Sequence, residues 1–233
     1  MSTDEQPQYR DLGRLGDVLQ ASVAIWGAIG LWSAWARWGH IDVVNDAIRG
    51  LAVSADRATA ADAAAKYSSI ADAIMILATA ILYLRWVYLT KRNAMVFGGS
   101  RIAYGAGWSV GLFFIPVLSL WKPFVSAKET YRASNPDYQQ NWQDAPYPGL
   151  LGIWWALWLA LSVLGQYLFR FEPPAHDLQA LLSYTQVSLA DALLQSALAV
   201  VVVILVATLG RWQSTKFQAL SHPLAVAMEG AGP

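Results

Sequence analysis

The chain has 233 residues, 56% hydrophobic and only 14% charged, with 16 basic and 16 acidic side chains that cancel to no net charge. Soluble domains carry about 25% charged residues, so the deficit points to a membrane protein, and the zero balance provides no basic field for nucleic acid. The absence of Cys removes disulfides, thiolate metal sites, iron–sulfur clusters and a Cys nucleophile.

In chain order, residues 1–14 form a polar tail. It has no basic stretch leading into a short apolar core, so no cleavable signal peptide is expected and the first span serves as its own insertion signal. That span is Val18–Trp38, free of charge before Arg37, and at ~1.5 Å per residue it crosses a ~30 Å hydrocarbon core. Gly27 and Gly30 allow a neighbouring helix to approach closely. Most of the 12 Trp residues sit near the ends of apolar runs, where an amphipathic ring suits the headgroup region.

Residues 41–66 predict an extramembrane helix or helical hairpin. Ile41, Val44, Ile48, Leu51, Ala55 and Ala58 recur at three- and four-residue steps, and the Ala content favours helix. A spacer packed on the domain's own surface is the simpler reading, and a partner-binding stripe the alternative. The second span is 70–89; Arg85, one turn before its end, is placed to snorkel to the headgroups.

The apolar segment 103–121 contains Gly105, Gly107, Gly111 and Pro116. Proline removes a backbone donor and clashes with the preceding helical turn. Broken backbone is tolerated at membrane depth only where protein or trapped water covers it, so the segment is a kinked span or a re-entrant pair of half-helices. Residues 123–134 predict an interfacial helix, with Phe124, Ala127 and Tyr131 on one face and Lys128 and Arg132 beside it. A Pro/Asn/Gln-rich loop holding Trp142 leads to a span at 150–169 with Trp154, Trp155 and Trp158. A loop at 170–188 containing Pro173 and Pro174 precedes the last span, 192–209, and a polar tail at 213–233. The expected fold is therefore all-α: one transmembrane domain, 15–212, a polytopic membrane helical bundle of four spans plus the Gly/Pro-broken fifth segment.

Orientation follows from the bias of Lys and Arg toward the cytoplasm. If 103–121 does not cross, then Arg10, Arg14, Arg85, Lys91, Arg92, Arg101, Lys122, Lys128, Arg132, Arg211 and Lys216 lie inside, and Arg37, Arg49, Arg57, Lys66 and Arg170 outside. If it crosses, Lys122, Lys128, Arg132, Arg211 and Lys216 move outside, Arg170 moves inside, and the bias reverses. The expectation is a bacterial inner-membrane protein with both termini cytoplasmic and a re-entrant or interfacial hairpin on that side.

Arg85-Trp86, Asn93, Gly107-Trp108, Phe113-Phe114-Ile115-Pro116-Val117, Leu120-Trp121-Lys122-Pro123-Phe124, Tyr131-Arg132-Ala133-Ser134 and Trp154-Trp155 together give a pattern that resembles the bacterial membrane family catalogued as domain of unknown function 4328. The resemblance covers roughly residues 70–210. It implies a multi-span membrane protein and no particular activity, substrate or catalytic residue.

No Walker loop, dinucleotide fingerprint, nucleophile elbow or HExxH helix is present. His40, His176 and His222 lie in three separate polar segments, so no metal, haem or other cofactor is expected. Asp17, Asp72 and Asp191 sit at span edges. Asp72 and Asp191 fall on one side and are able to share a vestibule, with Gln166, Gln195 and Ser196 adding polarity; interhelical hydrogen bonding is the simpler reading. The candidate binding residues cluster on the broken segment and its cytoplasmic mouth: Arg85, Asn93, Arg101, Trp108, Pro116, Trp121, Lys122, Pro123, Arg132, Trp154 and Trp155. Half-helix ends line cavities, and clustered cations at that depth attract anionic lipid heads. The functional expectation is a non-enzymatic scaffold or sensor, with a small transporter, channel or lipid-binding protein as the alternative. Membrane lipids are the expected partners, a membrane-protein partner or homo-oligomer is left open, and nucleic acid is excluded.

Overall fold

The structure is a computed structural model that describes residues 8–138, 141–171, 173–174 and 176–229, with side chains through Ser221. Residues 1–7 and 230–233 of the expected tails, 139–140 and 172 and 175 of the expected loops, and the side chain of His222 lie outside the described residues. The described residues are helical and contain no strand. Six α-helices follow in order: α1 Gly13–Ile48, α2 Ala55–Gly98, α3 Ala106–Gly111, α4 Lys122–Ser134, α5 Leu150–Arg170 and α6 Leu178–Glu229. Four of them, α1, α2, α5 and α6, are long and apolar enough to cross a membrane. The protein is thus an all-helical, multi-pass membrane protein.

Three of these helices run well past the expected spans. At ~1.5 Å per residue, the 36 residues of α1, 44 of α2 and 52 of α6 each exceed a ~30 Å core, whereas the 21 residues of α5 match it. Of the two forms expected for segment 41–66, a helix or a helical hairpin, it is not a separate helix but two helix ends joined by a turn. Its first part is the end of α1 and its second the start of α2. The break is a Schellman turn: Leu51 N–H donates to the Asp46 carbonyl at 2.9 Å and Gly50 N–H to that of Ala47 at 3.1 Å. Gly50 takes φ +70° there, a conformation glycine adopts without Cβ strain. Ser54 then opens α2, its Oγ accepting the Arg57 N–H at 3.3 Å.

The expected loop 170–188 shrinks in the same way. Asp177 caps α6 by accepting the Ala180 N–H at 3.0 Å, so residues from Leu178 are helix. The expected polar tail from 213 continues as α6 to Glu229.

The chain divides into two compact units. One holds Ala21–Ala80 and Ile153–Val203. Here α1 meets α6 at its glycines: a Cβ on Gly27 would stand 2.7 Å from the Ala199 Cβ, and one on Gly30 2.5 Å from the Ser196 Oγ. Polar groups tie the same helices together. Ser22 and Thr79 hydroxyls bond at 2.8 Å. Asp72 Oδ1 accepts from Trp26 Nε1 at 3.0 Å and Gln195 Nε2 at 2.6 Å, and Gln195 Nε2 also reaches the Trp26 carbonyl. Ser196 Oγ donates to the Gly27 carbonyl at 3.0 Å. Arg37 bonds Ser69 Oγ and interacts electrostatically with both Asp72 and Asp191. His40 stands between the Asp62 carboxylate at 3.2 Å and the Thr185 hydroxyl at 3.4 Å. Trp155 stacks on Trp158 with centroids 4.8 Å apart. The other unit holds the described residues up to Gln20, Ile81–Gly152 and those from Ile204, and carries the site described next.

Candidate functional site

This second unit is organised around two buried lysines, one on α2 and one on α6, both gripped by α4. Pro123 stands in the first turn of α4, where its missing N–H costs nothing. From there α4 turns Ser126, Thr130, Tyr131 and Ser134 inward.

Lys91, on α2, has no exposed surface. Its Nζ pairs with Glu129 Oε2 and also reaches the Ser126 carbonyl at 3.4 Å. Glu129 Oε1 accepts the Ala103 N–H at 2.7 Å, so one carboxylate ties α2 to α4 and to the start of the broken segment. Ser126 Oγ bonds Ser109 Oγ at 2.9 Å, which adds α3. Lys216, on α6, is 1% exposed and meets no carboxylate among the described residues. Its ammonium donates to the carbonyls of Ala133, Asn135 and Tyr138 at 2.8, 3.0 and 2.6 Å. The last turn of a helix has unpaired carbonyls and a partial negative charge, and Lys216 supplies what that end of α4 lacks.

Between the lysines lies an amide relay. Gln213 Nε2 donates to the Thr90 carbonyl at 2.9 Å and to Ser134 Oγ at 3.0 Å, while its Oε1 accepts Asn93 Nδ2 at 3.0 Å. Asn93 then clasps the N-terminal strand of chain: its Oδ1 accepts the Arg10 N–H at 2.9 Å and its Nδ2 donates to the Arg10 carbonyl at 2.8 Å. Tyr9 stacks on Phe217 at 4.0 Å nearby. Tyr131 donates to the Leu205 carbonyl at 2.9 Å, and burial pushes its phenol well above the usual range.

The broken segment is two helical pieces joined by turns, α3 and a 3-10 turn at Leu118–Leu120. Most of its N–H groups are answered locally: Leu112 by Trp108, Phe113 by Val110, Phe114 by Gly111, Ser119 by Ile115, Leu120 by Val117 and Trp121 by Leu118. Leu118 N–H closes on the Pro116 carbonyl around Val117, which stands at φ +61° and ψ −56°. That is a γ-turn of the rare, strained kind, and a β-branched side chain at positive φ is an outlier. The outer side of the segment is apolar: Trp108 is 61%, Phe114 68%, Val117 64% and Leu120 54% exposed.

The expected site residues fall into several groups. Asn93 is inside the amide relay and Pro123 is buried in the first turn of α4. Lys122 donates to the Tyr104 hydroxyl at 2.7 Å. Arg101 bonds Gln143 at 3.3 Å and lies over the Trp142 ring, and Arg132 lies over that of Tyr147. Trp108, Pro116 and Trp121 are exposed at separate positions along the broken segment, and Arg85 is exposed. Trp154 and Trp155 are buried in the other unit. The residues that organise the site but were absent from the expectation are Lys91, Glu129, Gln213 and Lys216. One signal was available: Glu129 is the sole acidic residue between Asp72 and Asp137, so it had a choice of cations and no competitor.

Among the described residues no group of three His, Asp or Glu side chains is placed to hold a metal ion. The sequence matches the family described as "Domain of unknown function (DUF4328)" over residues 49–211. Neither the curated proteins nor the solved structures contain a match.

Proposed function

We propose, for a chain that belongs to the DUF4328 family, that it is a non-catalytic scaffold of a bacterial inner membrane whose broken segment dips into the bilayer from the cytoplasmic side. One observation carries this reading. The segment from Trp108 to Trp121 exposes a row of large apolar side chains while closing most of its backbone hydrogen bonds on itself. Exposed apolar surface of that kind needs a nonaqueous neighbour, and lipid admits irregular backbone only when its polar groups are satisfied. The buried Lys91–Glu129 and Lys216 anchors fix the element from which it hangs. The Lys/Arg bias supports the cytoplasmic side for this segment and for both termini.

Single-Cys labelling on the naturally Cys-free chain tests the placement. A Cys at Phe114 is expected to resist a water-soluble maleimide from either side, and one at Asp144 to react only from the cytoplasmic side. Periplasmic labelling at 144 would overturn the reading.

A transport reading has one observation in its favour: Arg37, Asp72 and Asp191 interact within a single unit, and ionisable groups at membrane depth mark pathways. Solute flux in liposomes that Asp72→Asn abolishes would replace the scaffold with a transporter.

A further inference from the structure

Lys128 and Arg132 stand one turn apart on α4. Lys128 Nζ lies 5.7 Å and the Arg132 guanidinium carbon 5.2 Å from the centre of the same Tyr147 ring, and Lys128 also lies 4.8 Å from the Phe124 ring. An aromatic face attracts each cation but carries no net charge, so among the described residues no carboxylate compensates the two positive charges. The acid on α4 that stands nearest in sequence, Glu129, has committed one oxygen to Lys91 and the other to the Ala103 N–H. Asp137 and Asp144 on the following loop enter no ion pair among the described residues. Arg132 Nε is buried and has no hydrogen-bond partner among the described residues, although a buried donor left unmade is costly. Two facing cations and an unanswered guanidinium N–H thus share one ring.

We infer that Lys128, Arg132 and Tyr147 form a binding site for a phosphate group. The planar guanidinium offers paired donors suited to phosphate oxygens, and the ammonium adds a point charge. The Tyr147 hydroxyl, with no hydrogen-bond partner among the described residues, completes the donor set. A phosphate there would neutralise the like-charge pair and accept from the Arg132 guanidinium. The group comes from an anionic lipid head or from a soluble phosphate. The lipid source rests on the membrane placement proposed above, and the soluble source does not.

The test is native mass spectrometry of the full chain in detergent, titrated separately with phosphatidylglycerol, phosphatidylcholine and inorganic phosphate. Lys128→Gln and Arg132→Gln are each expected to weaken phosphatidylglycerol binding about fivefold, the weight of one cation near an anionic head. Arg132→Lys, which keeps the charge, guards against a folding defect and is expected to lose less. Arg211→Gln, an exposed cation on α6, is expected to bind as the parent does. A loss confined to phosphatidylglycerol identifies the lipid source, and a loss confined to inorganic phosphate the soluble one; both support the site. Equal binding by all variants, or an equal loss in Arg211→Gln, would overturn it. Because labelling at 114 and 144 is read separately, loss of the membrane placement and loss of the phosphate site are distinguishable.

Discussion

The ammonium of Lys91 and the carboxylate of Glu129 form an ion pair in which the lysine has no solvent exposure and the glutamate 13%. Deleting one partner of such a pair strands the other charge. Lys91→Met or Glu129→Gln is expected to cost about 3–5 kcal/mol, and the double substitution less than the sum of the two. Thermal unfolding in detergent, run as a double-mutant cycle, measures the coupling. Additive losses would show that the pair does not act as a unit.

Lys216 acts without a counter-charge among the described residues. Lys216→Met removes the donors to three carbonyls, one in the last turn of α4 and two just beyond it, so at about 1–3 kcal/mol per stranded buried group the loss should rival that of Lys91→Met. Hydrogen exchange should rise specifically at residues 131–138. A uniform rise along α6 with no change there would contradict the cap.

Val117 carries backbone strain at φ +61°. Val117→Gly relieves it and is expected to be neutral or to stabilise by up to about 1 kcal/mol, although glycine loosens the unfolded chain. Val117→Ala retains the strain and removes apolar surface, so it should be the less stable variant. The melting temperatures of the two variants decide the order.

Gly27 and Gly30 leave no room for a side chain against Ala199 and Ser196. Gly30→Val is expected to destabilise by more than the ~1–3 kcal/mol of ordinary overpacking, because both backbones are helical and neither can retreat cheaply. Gly152→Ala, which meets no neighbour within 4 Å, is the control and should melt as the parent does.

The four crossing helices were legible because a long uncharged apolar run has few other uses, and the two glycines on α1 announced a close approach. The ends of the helices were less so. Gly50 and Asp177 are ordinary punctuation, but the Ala-rich stretch after Ser54 drew the eye to a continuous periodicity across a turn. Residues beyond 212 look polar and tail-like, yet Gln213 and Lys216 are helical because tertiary partners hold them, which local propensity does not reveal. The same reason hid the site. Asn93 was visible through its neighbours in the family pattern, but Lys91 and Glu129 are 38 residues apart on different helices, beyond any i,i+4 rule. The broken segment declared itself through Pro116 and its glycines, while the γ-turn fell on Val117, a residue whose type argues against it.

The clasp of Asn93 on the Arg10 backbone carries a consequence for biogenesis. Tyr9 and Arg10 leave the ribosome before their partners, Asn93 on α2 and Phe217 on α6. Domains generally form as the chain emerges; here Tyr9 and Arg10 stay without these partners until α6 has been made. The clasp therefore closes only once α2 and α6 are both in place, and its formation reports that these two helices have met.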